Sequence, residues 1–139
     1  VTEVAYLISR SCTTGWLDWV HGELWLLPDG LVRSSIGLDG TIANSLRSGI
    51  GRTVPHPLPH LPATAIDHKR ILAAHRTNKV LPYAHIAAAT LFRGLTAHGL
   101  TLTMTDGRRH KLLWLTRDPA HAVLGETLRA VLGDRFSHR

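Results

Sequence analysis

At 139 residues, with 44% apolar and 19% charged side chains, the chain is long enough for one domain with its own core and too apolar for wholesale disorder. No apolar run approaches the roughly 18 residues that cross a bilayer as a helix, and the first residues lack the basic and apolar regions of a signal peptide. The single cysteine, Cys12, excludes an internal disulfide. A cytoplasmic protein with one domain over residues 1–139 is the expectation.

The net charge of +6 is unevenly spread. Residues 1–40 hold five acids (Glu3, Asp18, Glu23, Asp29, Asp39) against Arg10 and Arg33, whereas residues 41–139 hold fourteen basic side chains against five acids. Such asymmetry suits a polyanionic partner, or contact between the acidic part of one copy and the basic part of another. Thirteen arginines to three lysines, with abundant Ala, Gly, Leu and His, is the bias of a GC-rich, actinobacterial-type bacterial genome. That bias accounts for the ten histidines without invoking chemistry.

In chain order, VAYLIS (4–9) reads as an edge or entry strand. TTGWLDWVH follows, with Trp16 and Trp19 three apart, as a loop or helical turn plugging one end of the core. GELWLLPDGLVRSSIGL (22–38) reads as a hairpin turning at Pro28-Asp29-Gly30. The apolar side chains of Leu24, Trp25, Leu26 and Leu27 imply that its first strand is covered on both faces. Residues 38–65 form an irregular insertion, rich in Gly and Ser and then in Pro and His. Prolines 55, 57, 59 and 62 exclude a helix and a central strand. A spacer or lid over the core is the expected role. His56 and His60 lack further ligands nearby, so no metal is expected there.

AIDHKRILAAHRTN (65–78) predicts a helix capped by Asp67, with Ile71, Leu72 and His75 inward and Asn78 as its stop. Val80-Leu81 is a short strand, Pro82-Tyr83 a turn, and 86–93 a strand. In 100–105, Leu100, Leu102 and Met104 alternate with threonines, the period of a half-buried strand. Asp106-Gly107 predicts a two-residue type I′ hairpin. The returning strand places Arg109, Lys111, Leu113 and Leu115 on one face and His110, Leu112 and Trp114 on the other. A terminal helix follows, with Asp118 as N-cap, Pro119 in its first turn, an apolar stripe of Val123, Leu124, Leu128, Val131 and Leu132, and Gly133 as its end. The DRFSHR tail is expected to fray, with Phe136 available to dock.

Seven strand segments and one terminal amphipathic helix define an α+β fold of mainly antiparallel sheet. The segments GELWLLPDGL, LPYAHIAAATLF, LTLTMTDGRRHKLLWL and DPAHAVLGETLRAVLG, about half of the chain and mainly residues 78–133, resemble bacterial pleckstrin-homology or GRAM-like domains. The resemblance implies a partly open barrel of about seven strands capped by the C-terminal helix. It also implies a module that binds lipid head groups, peptides or proteins. The family's lipid site uses basic residues of the first hairpin, where this chain offers only Arg33, so that role does not transfer.

The expected function is therefore a non-enzymatic binding module. Arg108, Arg109 and Lys111, with Arg93 and Arg117, form the candidate ligand-binding set for an acidic protein face or an anionic lipid surface, because the arginine fork binds carboxylate or phosphate in pairs. Self-association is a further expectation, through an exposed strand edge such as 4–9. Neither a cofactor nor a metal is expected. Two other classes remain open. One is a nucleic-acid-binding protein, favoured by a pI near 10.4 but lacking a recognition motif. The other is a small enzyme using His75, His110 or His121 as general base, without an accompanying phosphate loop or nucleophile elbow.

Overall fold

Period-two burial organises most of the chain into two sheets in the computed structural model, which describes residues 3–15, 21–35, 37 and 58–139. The strands are β1 (Val4–Cys12), β2 (Gly22–Leu26), β3 (Gly30–Ser34), β4 (His60–Pro62), β5 (Lys79–Pro82), β6 (Ile86–Phe92), β7 (Ala97–Met104), β8 (Arg109–Leu115) and β9 (Phe136–His138). The helices are α1 (His68–Ala74) and α2 (Ala120–Leu132). The first sheet runs β4-β1-β2-β3-β5 and the second β8-β7-β6-β9. All pairings are antiparallel except β6 with β9, so the class is α+β with mainly antiparallel sheet.

One strand connects the two sheets. Irregularities in β1 between Leu7 and Ser9 and between Ser9 and Cys12 bend it away from β2. Beyond the bend, Thr13 pairs with Leu113 of β8 through two backbone bonds of 2.8 and 2.9 Å. Ser11 Oγ accepts the Leu115 N–H at 3.0 Å, extending the same junction. No pairing joins β5 to β8 among the described residues, and the sheets are not closed into a barrel.

The main core lies between the inner faces of the sheets and under α2. Ile8, Leu24, Leu31, Leu91, Leu100, Leu112, Trp114, Leu124 and Leu128 are all buried there. Each aliphatic side chain contributes roughly 1.5–3 kcal/mol. A smaller cluster covers the opposite face of the first sheet, where Trp25, Leu7 and Val32 pack on Ile66 and Ile71 of the α1 region. Burial of both Leu24 and Trp25 follows from this double cover.

Several expectations are corrected. The 4–9 strand is not an edge: β2 and β4 occupy its two sides, so it offers no free edge for self-association. β4 arises from the segment read as irregular. Pro59 and Pro62 fit it because it is itself an edge strand, with Leu7 N–H donating to Pro59 O at 2.8 Å. Helix α1 has the expected Asp67 cap, which accepts the Arg70 N–H at 3.1 Å, but stops at Ala74 and leaves Leu72 exposed. Asn78 is a buried clasp, not a stop.

Asp118 does not cap α2, whose N-cap position is Pro119. Its carboxylate accepts the hydroxyls of Ser9 (2.7 Å) and Ser11, fastening the helix entrance to β1. Val131 is exposed, and the buried stripe is Ala120, Leu124, Leu128 and Leu132. Gly133, at φ +56°, ends the helix as expected.

The tail does not fray. β9 pairs in parallel with β6, and Phe136 docks on the core. Among the described residues nine strands stand where seven were expected, because β4 and β9 are both short edge additions. Trp16, Trp19, Ile36, His56 and most of the 38–65 insertion lie outside the described residues.

Arg33 of β3 has no solvent-exposed surface. Its guanidinium donates to Cys12 O (3.1 Å from Nη2), Thr77 Oγ1 (2.5 Å) and Asn78 Oδ1 (3.3 Å). Asn78 in turn accepts the Ser35 N–H at 2.7 Å and donates to Ile71 O at 2.8 Å. Replacing Arg33 with Ala leaves these acceptors buried beside a cavity and is expected to lower stability by about 3 kcal/mol or more, measured by urea unfolding.

Candidate functional site

The β7–β8 connection places the basic hairpin. Gly107 has φ +88°, and no non-glycine residue among those described has positive φ, so Asp106 does not take the conformation a type I′ turn requires. Met104 N–H donates to Arg108 O at 2.8 Å and Gly107 N–H to Met104 O at 3.0 Å, giving a three-residue loop with glycine at its bulge.

Arg108 stands exposed at the rim of a cleft of about 550 Å³ between β5 and the β7–β8 hairpin. Arg76, Lys79, His85 and His110 share its walls with Arg108, against Asp106 as the one acid of the lining. Lys79 Nζ lies 3.0 Å from His110 Nδ1, so the ammonium donates to a neutral imidazole. Burial, and then the Lys79 charge, hold His110 below the usual histidine range. Arg108 also meets Asp106, at 3.7 Å, with both side chains well exposed. The end of the cleft is tied by Thr105 N–H donating to His85 O at 2.8 Å.

The other basic residues go elsewhere. Arg109 and Lys111 lie on the outer face of the second sheet, opposite Thr103 and Thr101. Lys111 Nζ sits 5.7 Å from the Phe92 ring centroid. That ring in turn covers Gly99, where any Cβ would collide with it. Arg93 and Arg117 are both exposed at the opposite end of the sheet from the hairpin turn, where Thr116 N–H donates to Thr96 O at 3.4 Å. The β6–β7 turn there carries Leu95, fully exposed. The expected single cluster is therefore three separate groups: Arg108 at the rim of a cleft, Arg109 with Lys111 on a sheet face, and Arg93 with Arg117 at the far end.

Sequence reading missed Arg76, Lys79 and His85 as companions of Arg108. β5 is only four residues long, and its position beside the hairpin comes from tertiary packing. It also missed a histidine group. His121 of α2 sits between His98 of β7 and His138 of β9, with ring centroids 4.3 and 5.2 Å away and the rings tilted by 42° and 52°. His121 Nε2 lies 3.2 Å from His138 Nε2 and accepts from Arg93 Nε at 3.4 Å. Burial, then His98, His138 and Arg93, push His121 down to about 4.

Of the three candidate bases, His75 Nδ1 meets Thr77 Oγ1 at 2.7 Å, His110 meets Lys79, and His121 meets Arg93 and His138. None of these bonds brings a carboxylate, which is the partner a general base uses for orientation. Among the described residues, no group of three or more His, Cys, Asp or Glu side chains is arranged to hold a metal. Among the described residues no helix is long and apolar enough to cross a membrane. Scanned against models of known families the chain matches none, and no curated protein matches its sequence.

Replacing Arg108 and Arg109 with Gln is expected to leave the thermal midpoint nearly unchanged, since both are exposed. Lys111→Gln should cost about 0.5 kcal/mol through the lost ring contact. His121 gives a pH dependence of known sign. Between its ordinary 6.5 and about 4, the unfolded chain binds a proton that the folded protein does not. Stability present at neutral pH therefore declines as pH falls through that window, with a shallow slope because solvent screens the partly exposed ring. Urea midpoints at neutral and acid pH should show this decline, and His121→Asn should reduce it.

Proposed function

We propose that the chain is a non-enzymatic binding module of pleckstrin-homology-like, partly open barrel architecture, whose cleft between β5 and the β7–β8 hairpin takes an acidic segment of a protein partner. The observation that carries this reading is the charge of the cleft wall: Arg76, Lys79, His85, Arg108 and His110 against Asp106. A concave site of this size admits an extended chain, and converging donors favour carboxylates over a neutral ligand. The β1-to-β8 bridge and the terminal helix under which the core is packed support the barrel reading. Among the described residues, no carboxylate is hydrogen-bonded to His75, His110 or His121, which supports binding over catalysis.

An anionic lipid surface is the second reading. It is favoured by the fully exposed Leu95, flanked by Arg93 and at the same end as Arg117, since an apolar tip among arginines suits a headgroup interface.

A fluorescein-labelled oligoglutamate peptide distinguishes the two. Anisotropy titration at near-physiological salt should give saturable binding that weakens about tenfold or more in a Lys79→Gln, Arg108→Gln variant and survives Arg109→Gln, Lys111→Gln. Binding that disappears at physiological salt, or is indifferent to Lys79 and Arg108, removes the cleft. Co-sedimentation with phosphatidylserine vesicles that depends on Leu95 and Arg93 moves the conclusion to the lipid surface.

A further inference from the structure

The histidine group borders a second cavity, of about 460 Å³, between α2 and the β6–β9 edge. Arg93, His121, Arg129 and His138 line it, with Glu126 as the only acid of the lining. His98 backs His121 from β7. These nitrogens come from the end of β6, from β7, from α2 and from β9, and Arg93 and Arg129 make no ion pair among the described residues.

The bonding pattern sets the protonation state. Arg93 Nε donates to His121 Nε2, which must then carry a lone pair. His138 Nε2, 3.2 Å away, can donate its proton to that same lone pair. The other nitrogen, His121 Nδ1, is buried with no partner among the described residues, so Nε2 is the nitrogen through which the ring responds to its surroundings. His98 Nδ1 accepts the Gly94 N–H at 3.4 Å. Adding a proton to His121 Nε2 sets it against the Arg93 donor and two neighbouring imidazoles. Only a counter-charge relieves that conflict.

A cation fits this arrangement poorly, because a guanidinium already lies against His121 Nε2. An anion fits it well: it accepts from Arg93 and Arg129 directly and turns both close imidazoles into donors. We propose that Arg93, His98, His121, Arg129 and His138 form a proton-coupled oxyanion site that takes the phosphate group of free phosphate or of a small phosphate monoester. Ala122 and Ala130 on the α2 wall leave room beside the anion for the organic part of an ester. The site lies apart from the β5–hairpin cleft and does not depend on it.

The test follows the imidazole resonances of isotope-labelled protein at about pH 6 and about pH 8, on either side of the ordinary histidine range. Inorganic phosphate and phenyl phosphate are titrated separately, against sodium chloride at matched ionic strength. Sulfate, whose charge is constant across this range, separates imidazole protonation from that of phosphate.

The expected result is selective perturbation of His98, His121 and His138, with sulfate binding about tenfold tighter at the lower pH because binding takes up a proton. Either ranking of phosphate and phenyl phosphate supports the site, and the tighter ligand identifies the source of the phosphate group. Binding should be lost in Arg93→Gln and in the exposed-site variant His138→Asn, each checked for an unchanged fold, and kept in Lys79→Gln, Arg108→Gln. Affinity indifferent to pH, binding that survives His138→Asn, an equal response to chloride, or a response to zinc and not to the oxyanions would overturn the proposal.

Discussion

A guanidinium sealed from water holds the first sheet to everything packed around it. Arg33 stands on β3, yet it donates to Cys12 of β1 and to Thr77 and Asn78 of the loop between α1 and β5. A buried charge is tolerable only when hydrogen-bonded, so the positions of these partners are set by one another. Asn78 passes the constraint on, tying the Ser35 backbone to the last turn of α1. Helix α1 is thereby held over Trp25, and β5 starts at Lys79, the residue that forms one wall of the basic cleft.

The second sheet is held by a different device. β1 leaves its own sheet at two irregularities, reaches β8, and uses Ser9 and Ser11 to hold the Asp118 carboxylate at the entrance to α2. At the other end of that helix, Arg135 donates to Ile86 O at 2.7 Å and to Tyr83 O at 3.4 Å, closing the chain over the β5–β6 turn. Tyr83 reaches back to Leu27 O at 3.0 Å, and burial, then Asp29, push its phenol upward. Polar groups thus fix the corners while apolar ones fill the layers. The cleft and the histidine group lie where those corners leave the sheets apart.

Much of this was legible from local pattern. The alternation of Leu100, Leu102 and Met104 with threonines, the Asp67 cap and the Gly133 stop are each set by neighbours a few residues away, and they stand where expected. Features set by distant partners were not legible. In β6 an irregularity between Ile86 and Ala88 moves Ile86 onto the buried face with Ala89 and Leu91, and strict alternation cannot reveal such a slip. Asp118-Pro119 has the form of a cap and pivot, but Ser9 and Ser11, more than a hundred residues earlier, capture the carboxylate first. The candidate site divided in the same way. The run Arg108 to Lys111 was visible, but alternation along a strand sends its members to different surfaces. His98 and His121 meet where α2 packs beside β7, and His138 joins them because β9 returns beside β6.

The parallel pairing of β9 with β6 also bears on how the protein is made. Antiparallel neighbours such as β6 and β7 can join as soon as their short turn has left the ribosome. The outer edge of β6 must wait until β7, β8, α2 and the residues of β9 have all been synthesised. Throughout that interval the nascent chain presents an unpaired strand containing Ile86, Ala89 and Leu91, the kind of edge that recruits another strand. Slow translation between residues 92 and 136 would prolong that exposure, whereas rapid delivery of the last strand would end it.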